Sequence, residues 1–108
     1  MRPATPSTQS ITPVVGQLLG LLESRYAMRV LWALRDGHPQ TFRLLQDSVG
    51  SITPNTLNTR IKELRAAGLL THGGEGYTVT ALGAELLKRL GDLQSFATKW
   101  ASSLAPAI

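Results

Sequence analysis

One polar stretch of the sequence has the side chains needed to read the edges of DNA bases. It runs from Thr53 to Lys62 and carries two asparagines, Asn55 and Asn58, among threonines and basic residues. Asparagine pairs with adenine through both atoms of its amide, and threonine and lysine can reach base edges or phosphates. The stretch is therefore a candidate DNA-reading surface, provided that its polar side chains share one face of an element.

A helix from Thr53 to about Ala67 would provide that face. Thr53 followed by Pro54 is typical of a helix start, because threonine caps the first turn and proline fits it. At about 100° per residue, one face of this helix is apolar and holds Leu57, Ile61 and Leu64. The outer face and its flank hold Asn55, Asn58, Thr59, Lys62 and Ala66, and Thr56 and Arg60 lie closer to the core edge. The first turn would also offer backbone N–H groups to a phosphate.

An ordinary amphipathic surface helix would have a polar face as well, and the residues alone leave this alternative open. Such a helix more often carries glutamate and lysine than two asparagines and three threonines. Asparagine and threonine are poor helix formers, which indicates that a property other than helicity favours them here.

The positive charge of the chain is concentrated around this helix. The 108 residues carry a net charge of +4. Residues 25–72 contain seven basic and three acidic side chains, and 7 − 3 gives the whole excess, while the segments on either side are neutral. A basic segment favours an anionic partner such as double-stranded DNA, although a solvated basic face would have the same composition.

Other kinds of site find no support in the sequence. Without cysteine, the chain has no disulfide, cysteine-bound zinc, iron–sulfur cluster or thiol switch. Its two histidines, His38 and His72, have no carboxylate pair or third ligand at a metal-binding spacing and belong to no set of nucleophile, base and orienting residue. No glycine-rich phosphate loop is present. We therefore predict that the protein is not an enzyme and binds no metal and no cofactor.

The rest of the sequence predicts a mainly α fold with a small β-hairpin. Threonine and proline at positions 12 and 13 start a first helix of about ten residues, and Ser24 is expected to cap a second helix. A short extended stretch at Thr41-Phe42 and a brief third helix ending at Gly50 precede the polar helix. Residues 69–72 and 77–79 are predicted strands joined by glycines, and Thr80 is expected to cap a last helix. This order is that of a winged helix-turn-helix.

The last helix carries an apolar seam. Its members are spaced 4, 3, 4, 3 and 4 residues apart: Leu86, Leu90, Leu93, Ala97, Trp100 and Leu104. This spacing is typical of a helix packed on a partner helix, and Gly91 favours a bend. We expect residues 12–104 to form one domain after a flexible tail at 1–11. The chain has no apolar run of membrane-spanning length and no signal peptide at its start, so a cytoplasmic protein without membrane contact is expected.

With these elements in place, the sequence resembles the HxlR-type winged-helix regulators, which are relatives of the MarR group. The resemblance covers about residues 18–100. It is most specific from Ile52 to Leu64 and at the exit Gly68-Leu69-Leu70. Looser matches are the stretch from Leu21 to Leu34, Phe42, and the stretch from Tyr77 to Gly83.

The resemblance implies a homodimeric transcription regulator that binds a pseudo-palindromic operator with one recognition helix per half-site. It implies a dimer interface formed by the first and last helices, here Val14–Leu22 and Leu86–Leu104, and a phosphate contact for Arg60. With the residues above, the predicted DNA-binding set is Arg25, Arg43, Thr53, Pro54, Asn55, Thr56, Asn58, Thr59, Arg60, Lys62 and Arg65.

The sequence departs from the family pattern at three points. It lacks the cysteine through which many members sense oxidants or electrophiles. Arg43 stands where the family has a small polar cap, so either Thr41 caps the third helix or Arg43 contacts a phosphate. The wing is short and carries Glu75 rather than basic residues, so its contact with DNA is expected to be weak.

Two alternatives remain open at this point. A winged-helix module that binds another protein would have the same core, with its polar helix directed at that protein. A small-molecule effector is the other possibility, because four aromatic residues could line a pocket near the dimer interface: Tyr26, Trp32, Phe96 and Trp100. Aromatic residues at helical spacing are more often plain core.

Overall fold

The computed structural model describes residues 11–104, and these residues form six helices and one two-stranded sheet. The elements, in chain order, are α1 Pro13–Glu23, α2 Ala27–Ala33, α3 Phe42–Val49, α4 Pro54–Ala66, β1 Leu70–Gly73, β2 Gly76–Val79, α5 Ala81–Arg89 and α6 Leu93–Leu104. This order confirms the predicted mainly α, winged helix-turn-helix fold. The predicted flexible tail lies, except for Ile11, outside the described residues.

Threonine side chains cap four of these helices. Each hydroxyl accepts a hydrogen bond of 3.0–3.2 Å from the backbone N–H three residues later, and the four caps are Thr12, Thr41, Thr53 and Thr80. A cap of this kind contributes about 1 kcal/mol to stability. Three of the caps were predicted from the sequence. The fourth, Thr41, caps α3 as one of the two alternatives predicted, and it leaves the Arg43 side chain exposed, so that a phosphate contact of Arg43 is compatible with the cap.

Three predicted boundaries are wrong. Ser24 does not cap α2. It ends α1 instead, and α2 begins after Tyr26, whose left-handed φ of 76° turns the chain. The extended stretch is Gln40 rather than Thr41-Phe42, because pairing with Tyr77 occurs at Gln40 and Phe42 already belongs to α3. The last helix is broken rather than bent, and residues 90–92 separate α5 from α6.

The turn between α2 and α3 is closed by a hydrogen bond to the side chain of Asp36. Its carboxylate accepts a hydrogen bond from the backbone N–H of His38 at 3.1 Å and lies 3.3 Å from His38 Nδ1. The backbone hydrogen bond is the main reason why the pKa of Asp36 lies below its ordinary value. Both side chains are exposed, so this turn orders the chain without contributing to the core.

The core lies between α2, α3, α4 and the base of the hairpin. Its fully buried members include Leu31 and Leu34 of α2 and Leu45 of α3. The three apolar residues predicted for one face of α4 are all buried there as well: Leu57, Ile61 and Leu64. Burial of such a side chain stabilises the fold by about 1.5–3 kcal/mol relative to exposure, so the core fixes which face of α4 is turned outwards.

The hairpin forms the wing and is attached to the helices through Gln40. β1 and β2 pair in antiparallel register, from Leu70 opposite Val79 to Gly73 opposite Gly76. Gln40 exchanges two backbone hydrogen bonds with Tyr77, at 3.0 and 2.7 Å, and its side-chain amide donates to the Ala33 carbonyl oxygen at 2.8 Å. The wing is therefore held against the end of α2.

The first and last helices contribute no buried residue to this core. On α1 the side chain of Val14 is 74% exposed, and on α6 Phe96 and Trp100 are 60% and 55% exposed. Large apolar side chains exposed in contiguous patches usually mark a surface that binds another molecule. No helix among residues 11–104 has both the length and the apolar character needed to cross a membrane.

Candidate nucleic-acid interface

The outward face of α4 carries the polar side chains that the sequence predicted for it. Asn55, Asn58, Thr59 and Lys62 are exposed, whereas Thr56 is half-buried at the edge of the core. The helix is held in this rotation by the three buried residues on its other face. The structure therefore brings amide, hydroxyl and ammonium groups together on one accessible surface.

Hydrogen bonds within α4 and at its cap decide which of its hydroxyl groups can still donate a hydrogen bond to a ligand and which can only accept one. The Thr59 hydroxyl donates to the Asn55 carbonyl oxygen at 3.0 Å, and the Thr53 hydroxyl donates to the Thr56 hydroxyl at 3.0 Å. A hydroxyl has one hydrogen to donate. Thr59 is thus left to accept a hydrogen bond from a ligand, and Thr56 can still donate one.

The start of α4 offers fewer backbone donors than a helix without caps. Pro54 has no N–H, Thr56 N–H donates to the Thr53 hydroxyl, and Leu57 N–H donates to the Thr53 carbonyl oxygen. Within the described residues, Asn55 N–H is the one amide of this first turn without a hydrogen bond. A phosphate at this end would therefore meet a single backbone donor.

Arg60 is engaged within the protein. Its Nε donates to the Arg25 carbonyl oxygen at 2.8 Å, and its Nη1 lies 2.6 Å from a Glu63 carboxylate oxygen. The Arg60 side chain is only 19% exposed. A phosphate contact would have to replace these two hydrogen bonds, so the geometry favours a role in holding α4 in place.

The remaining predicted arginines are exposed but lie at different places. The Arg25 guanidinium lies 4.9 Å from the centre of the Tyr26 ring, at the junction of α1 and α2. Arg43 lines a surface depression together with Thr53 and the turn between α3 and α4. Arg65 is in the last turn of α4, about 15 Å along the helix axis from Asn55. Arg43 is thus the predicted arginine that lies beside the start of α4.

Two residues of the site have no signal in the sequence. The Tyr26 hydroxyl donates to the Ser51 carbonyl oxygen at 3.0 Å, in the turn that leads into α4. The side-chain amide of Gln46 donates to the carbonyl oxygen of the next residue, Ile52, at 3.0 Å. Both contacts depend on the tertiary arrangement of segments, and neither residue type is specific for such a role.

The four aromatic residues considered for an effector pocket are distributed over the molecule. Tyr26 contacts the turn before α4. The Arg35 guanidinium lies over Trp32, 4.6 Å from the centre of the Trp32 ring. Phe96 and Trp100 are exposed on α6. A separate groove of about 420 Å³ lies between α1 and α5, and its lining includes Leu18, Leu86, Glu85, Gln17 and Arg89.

The sequence and fold of the chain are similar to those of known transcription regulators. Residues 21–105 match the family model described as HxlR-like helix-turn-helix. Over 55 residues, or 51% of the chain, the sequence is 34% identical to the HTH-type transcriptional regulator BH0655 of Halalkalibacterium halodurans. The matched part spans 49% of that relative, so the chain spans about half the length of this curated protein.

Solved structures of YodB from B. subtilis have the same fold. Quinone-bound YodB superposes with a TM-score of 0.71 at 25% identity, covering 82% of this chain and 99% of YodB. Reduced YodB superposes with a TM-score of 0.67 at 24% identity, covering 82% of this chain and 92% of YodB. Since the family model matches well over half of the residues, the chain belongs to the HxlR-like helix-turn-helix family.

Proposed function

We propose that the protein regulates transcription by binding a pseudo-palindromic DNA operator as a homodimer, with α4 of each protomer in the major groove of one half-site. The observation that carries this proposal is the exposed polar face of α4, with Asn55 and Asn58 directed away from a fully buried apolar face. A recognition helix of this fold reads bases through its N-terminal residues, and both asparagines lie in the first half of α4.

The proposed contacts divide into base reading and positioning on the DNA backbone. Base edges are read by Asn55, Thr56, Asn58 and Thr59, and the exposed Lys62 beside them binds a phosphate through its ammonium charge. Phosphates are bound by Arg25, Arg43 and Arg65, with Thr53 and Pro54 at the point where the backbone approaches α4. Arg60 leaves the phosphate-binding set in this proposal, because its guanidinium is occupied by Arg25 and Glu63.

Selection of bound sequences from a random DNA pool tests the proposal directly. We expect an enriched motif with two inverted half-sites about 10 base pairs apart or a multiple of that, which is the spacing of a dimer on one face of the duplex. Failure to retard any DNA at low salt would instead favour the alternative function, a winged-helix module that binds another protein.

The homodimer is supported by the apolar side chains that α1 and α6 leave exposed in one protomer. Val14, Val15, Leu18 and Leu19 of α1 are at least 37% exposed, and so are Leu93, Phe96, Trp100 and Leu104 of α6. A second copy of the chain supplies the same two apolar faces, as a two-fold interface requires. Packing them together removes from water the large apolar side chains that the protomer leaves exposed.

Charged substitutions on α6 are expected to dissociate this dimer. In Phe96→Glu/Trp100→Glu, two carboxylates would have to be buried without partners, which costs several kcal/mol. Light scattering should give a mass near twice 11.6 kDa for the unchanged protein and near 11.6 kDa for the variant. Ser102→Glu, on the polar side of α6, serves as the control and should remain dimeric. A monomeric unchanged protein at micromolar concentration would contradict the dimer.

Lys62 is expected to act mainly through charge. Lys62→Ala should weaken binding to operator and to unrelated DNA to a similar degree. The slope of log affinity against log salt concentration should fall by about one for each phosphate that the variant no longer neutralises. Fluorescence anisotropy over a range of salt concentrations measures both quantities. Weakened binding confined to the operator would assign Lys62 to base reading instead.

The groove between α1 and α5 favours a second, compatible function, which is response to a small apolar molecule. Its volume of about 420 Å³ falls within the range of small-ligand sites, and its lining includes Val14 and Leu18 of the exposed face of α1. A ligand there would bind without a covalent bond to a thiol, because the chain has no cysteine. Since YodB was solved with a bound quinone, quinones are the first compounds to test for a change in operator affinity.

A further inference from the structure

We propose that Tyr26 and Arg60 are positioning residues that hold α4 at the angle required for base reading. They do so by fixing the recognition helix, and the turn before it, to the junction between α1 and α2. This inference rests on the proposed function, because it concerns how the same helix is presented to DNA. In this proposal neither Tyr26 nor Arg60 contacts DNA.

The side chains of Tyr26 and Arg60, with the backbone oxygens that they bind, form a clamp on α4. Its first part joins two backbone segments in an uncommon conformation. Among residues 11–104, Tyr26 and Ser51 are the two non-glycine residues with positive φ, at 76° and 50°. They lie 25 residues apart, and the Tyr26 hydroxyl donates to the Ser51 carbonyl oxygen at 3.0 Å. The left-handed conformation is unfavourable for residues with a Cβ atom, because Cβ crowds the following carbonyl oxygen, so surrounding contacts must hold both turns in place.

The second part of the clamp acts on α4 itself. Arg60 Nε donates to the carbonyl oxygen of Arg25, the residue just before Tyr26, at 2.8 Å. The same guanidinium is held in place by the Glu63 carboxylate, one turn further along the helix. One short segment, residues 25–26, is therefore bonded both to the turn before α4 and to its middle.

Two attachment points along an element restrain its direction, whereas one point restrains only its position. Ser51 precedes the first residue of α4 by three positions, and Arg60 follows that residue by six. At 1.5 Å per helical residue, a small rotation about Arg60 would move the amide of Asn55 relative to base edges. Hydrogen bonds weaken steeply with distance and angle, so reading of bases should suffer more than contact with phosphates.

The test uses Tyr26→Phe, which removes the hydroxyl and keeps the ring. We expect operator affinity to fall about three- to tenfold, which corresponds to the loss of one hydrogen bond, with affinity for unrelated DNA unchanged. Measurements are made at a temperature at which the variant is fully folded by circular dichroism, because a merely structural loss then leaves affinity unaltered. Tyr77→Phe, the same chemical change on the wing, is the matched control. Arg60→Lys tests the second bond at constant charge and should also lower operator affinity, whereas Arg29→Lys, on the exposed surface of α2, is its control and should not.

A measurement without DNA separates this inference from the proposed function. Residual dipolar couplings of backbone amides report the direction of α4 relative to α2, and they should change in Tyr26→Phe and not in Tyr77→Phe. Unchanged couplings, or changed couplings with unchanged operator affinity, would overturn the positioning role. If the unchanged protein binds no DNA, the proposed function fails, and the couplings alone then decide whether the clamp orients α4.

Discussion

Replacing Gly83 with alanine is expected to lower the free energy of unfolding by about 3 kcal/mol or more. Gly83 is buried in the first turn of α5. A Cβ atom there would overlap the Leu69 carbonyl oxygen and lie 3.1 Å from the Val79 Cβ. The carbonyl cannot move away freely, since it also accepts a hydrogen bond from Thr80 N–H at 3.1 Å. The added methyl group must therefore separate α5 from the base of the wing.

Urea denaturation followed by circular dichroism measures this effect. The matched control is Gly74→Ala at the tip of the wing, where a Cβ meets nothing within 4 Å and φ lies outside the left-handed range. Its stability should stay within about 0.5 kcal/mol of the unchanged protein, as is usual for surface substitutions. Because a domain is stable by only about 5–15 kcal/mol, loss of a cooperative transition in Gly83→Ala agrees with the prediction. A midpoint equal to that of Gly74→Ala would disprove the close approach.

The second large effect is expected in DNA recognition. The double variant Asn55→Ala/Asn58→Ala should lose operator affinity by about thirty-fold or more, because each amide paired with a base contributes about 1–3 kcal/mol of discrimination. Both side chains are exposed and contribute nothing to the core. Alanine is a better helix former than asparagine, so the fold should be retained or slightly stabilised.

Competition binding with the operator and with unrelated DNA of the same length measures this effect. Binding to unrelated DNA serves as the internal control and should change little, because the arginines and Lys62 that meet phosphates are untouched. The single variant Asn58→Ala should relax selectivity at one base position. A folded double variant with unchanged operator affinity would rule out base reading by these amides.

Local chemistry was enough to predict most of the elements. A threonine followed by a proline marked the starts of α1 and α4, and glycine marked the ends of α3 and α4. The buried face of α4 followed from helical spacing alone, since apolar side chains leave water wherever the chain permits it. These signals involve residues close together in the sequence, which is why they could be read without a structure.

Two of the three errors occur where distant segments decide the local conformation. Ser24 was a good cap by residue type, yet α2 begins after Tyr26, whose left-handed turn is held by a bond to Ser51. Gln40 carries no strand signal, and its pairing with Tyr77 comes from the wing folding back onto α2. Gly91 predicted a bend, and the chain is instead interrupted between α5 and α6.

The candidate site shows the same division. By itself, the sequence determined the type of fold, the position of the polar helix and the location of the positive charge, because each depends on composition and short-range spacing. Only the tertiary structure decided that Arg60 is bonded to the Arg25 carbonyl oxygen and to Glu63. Helical phase placed Arg60 at the core edge, but whether it faced a phosphate or another backbone depended on which segment packed beside it. No local sequence pattern predicts a hydrogen bond between residues that are 35 positions apart.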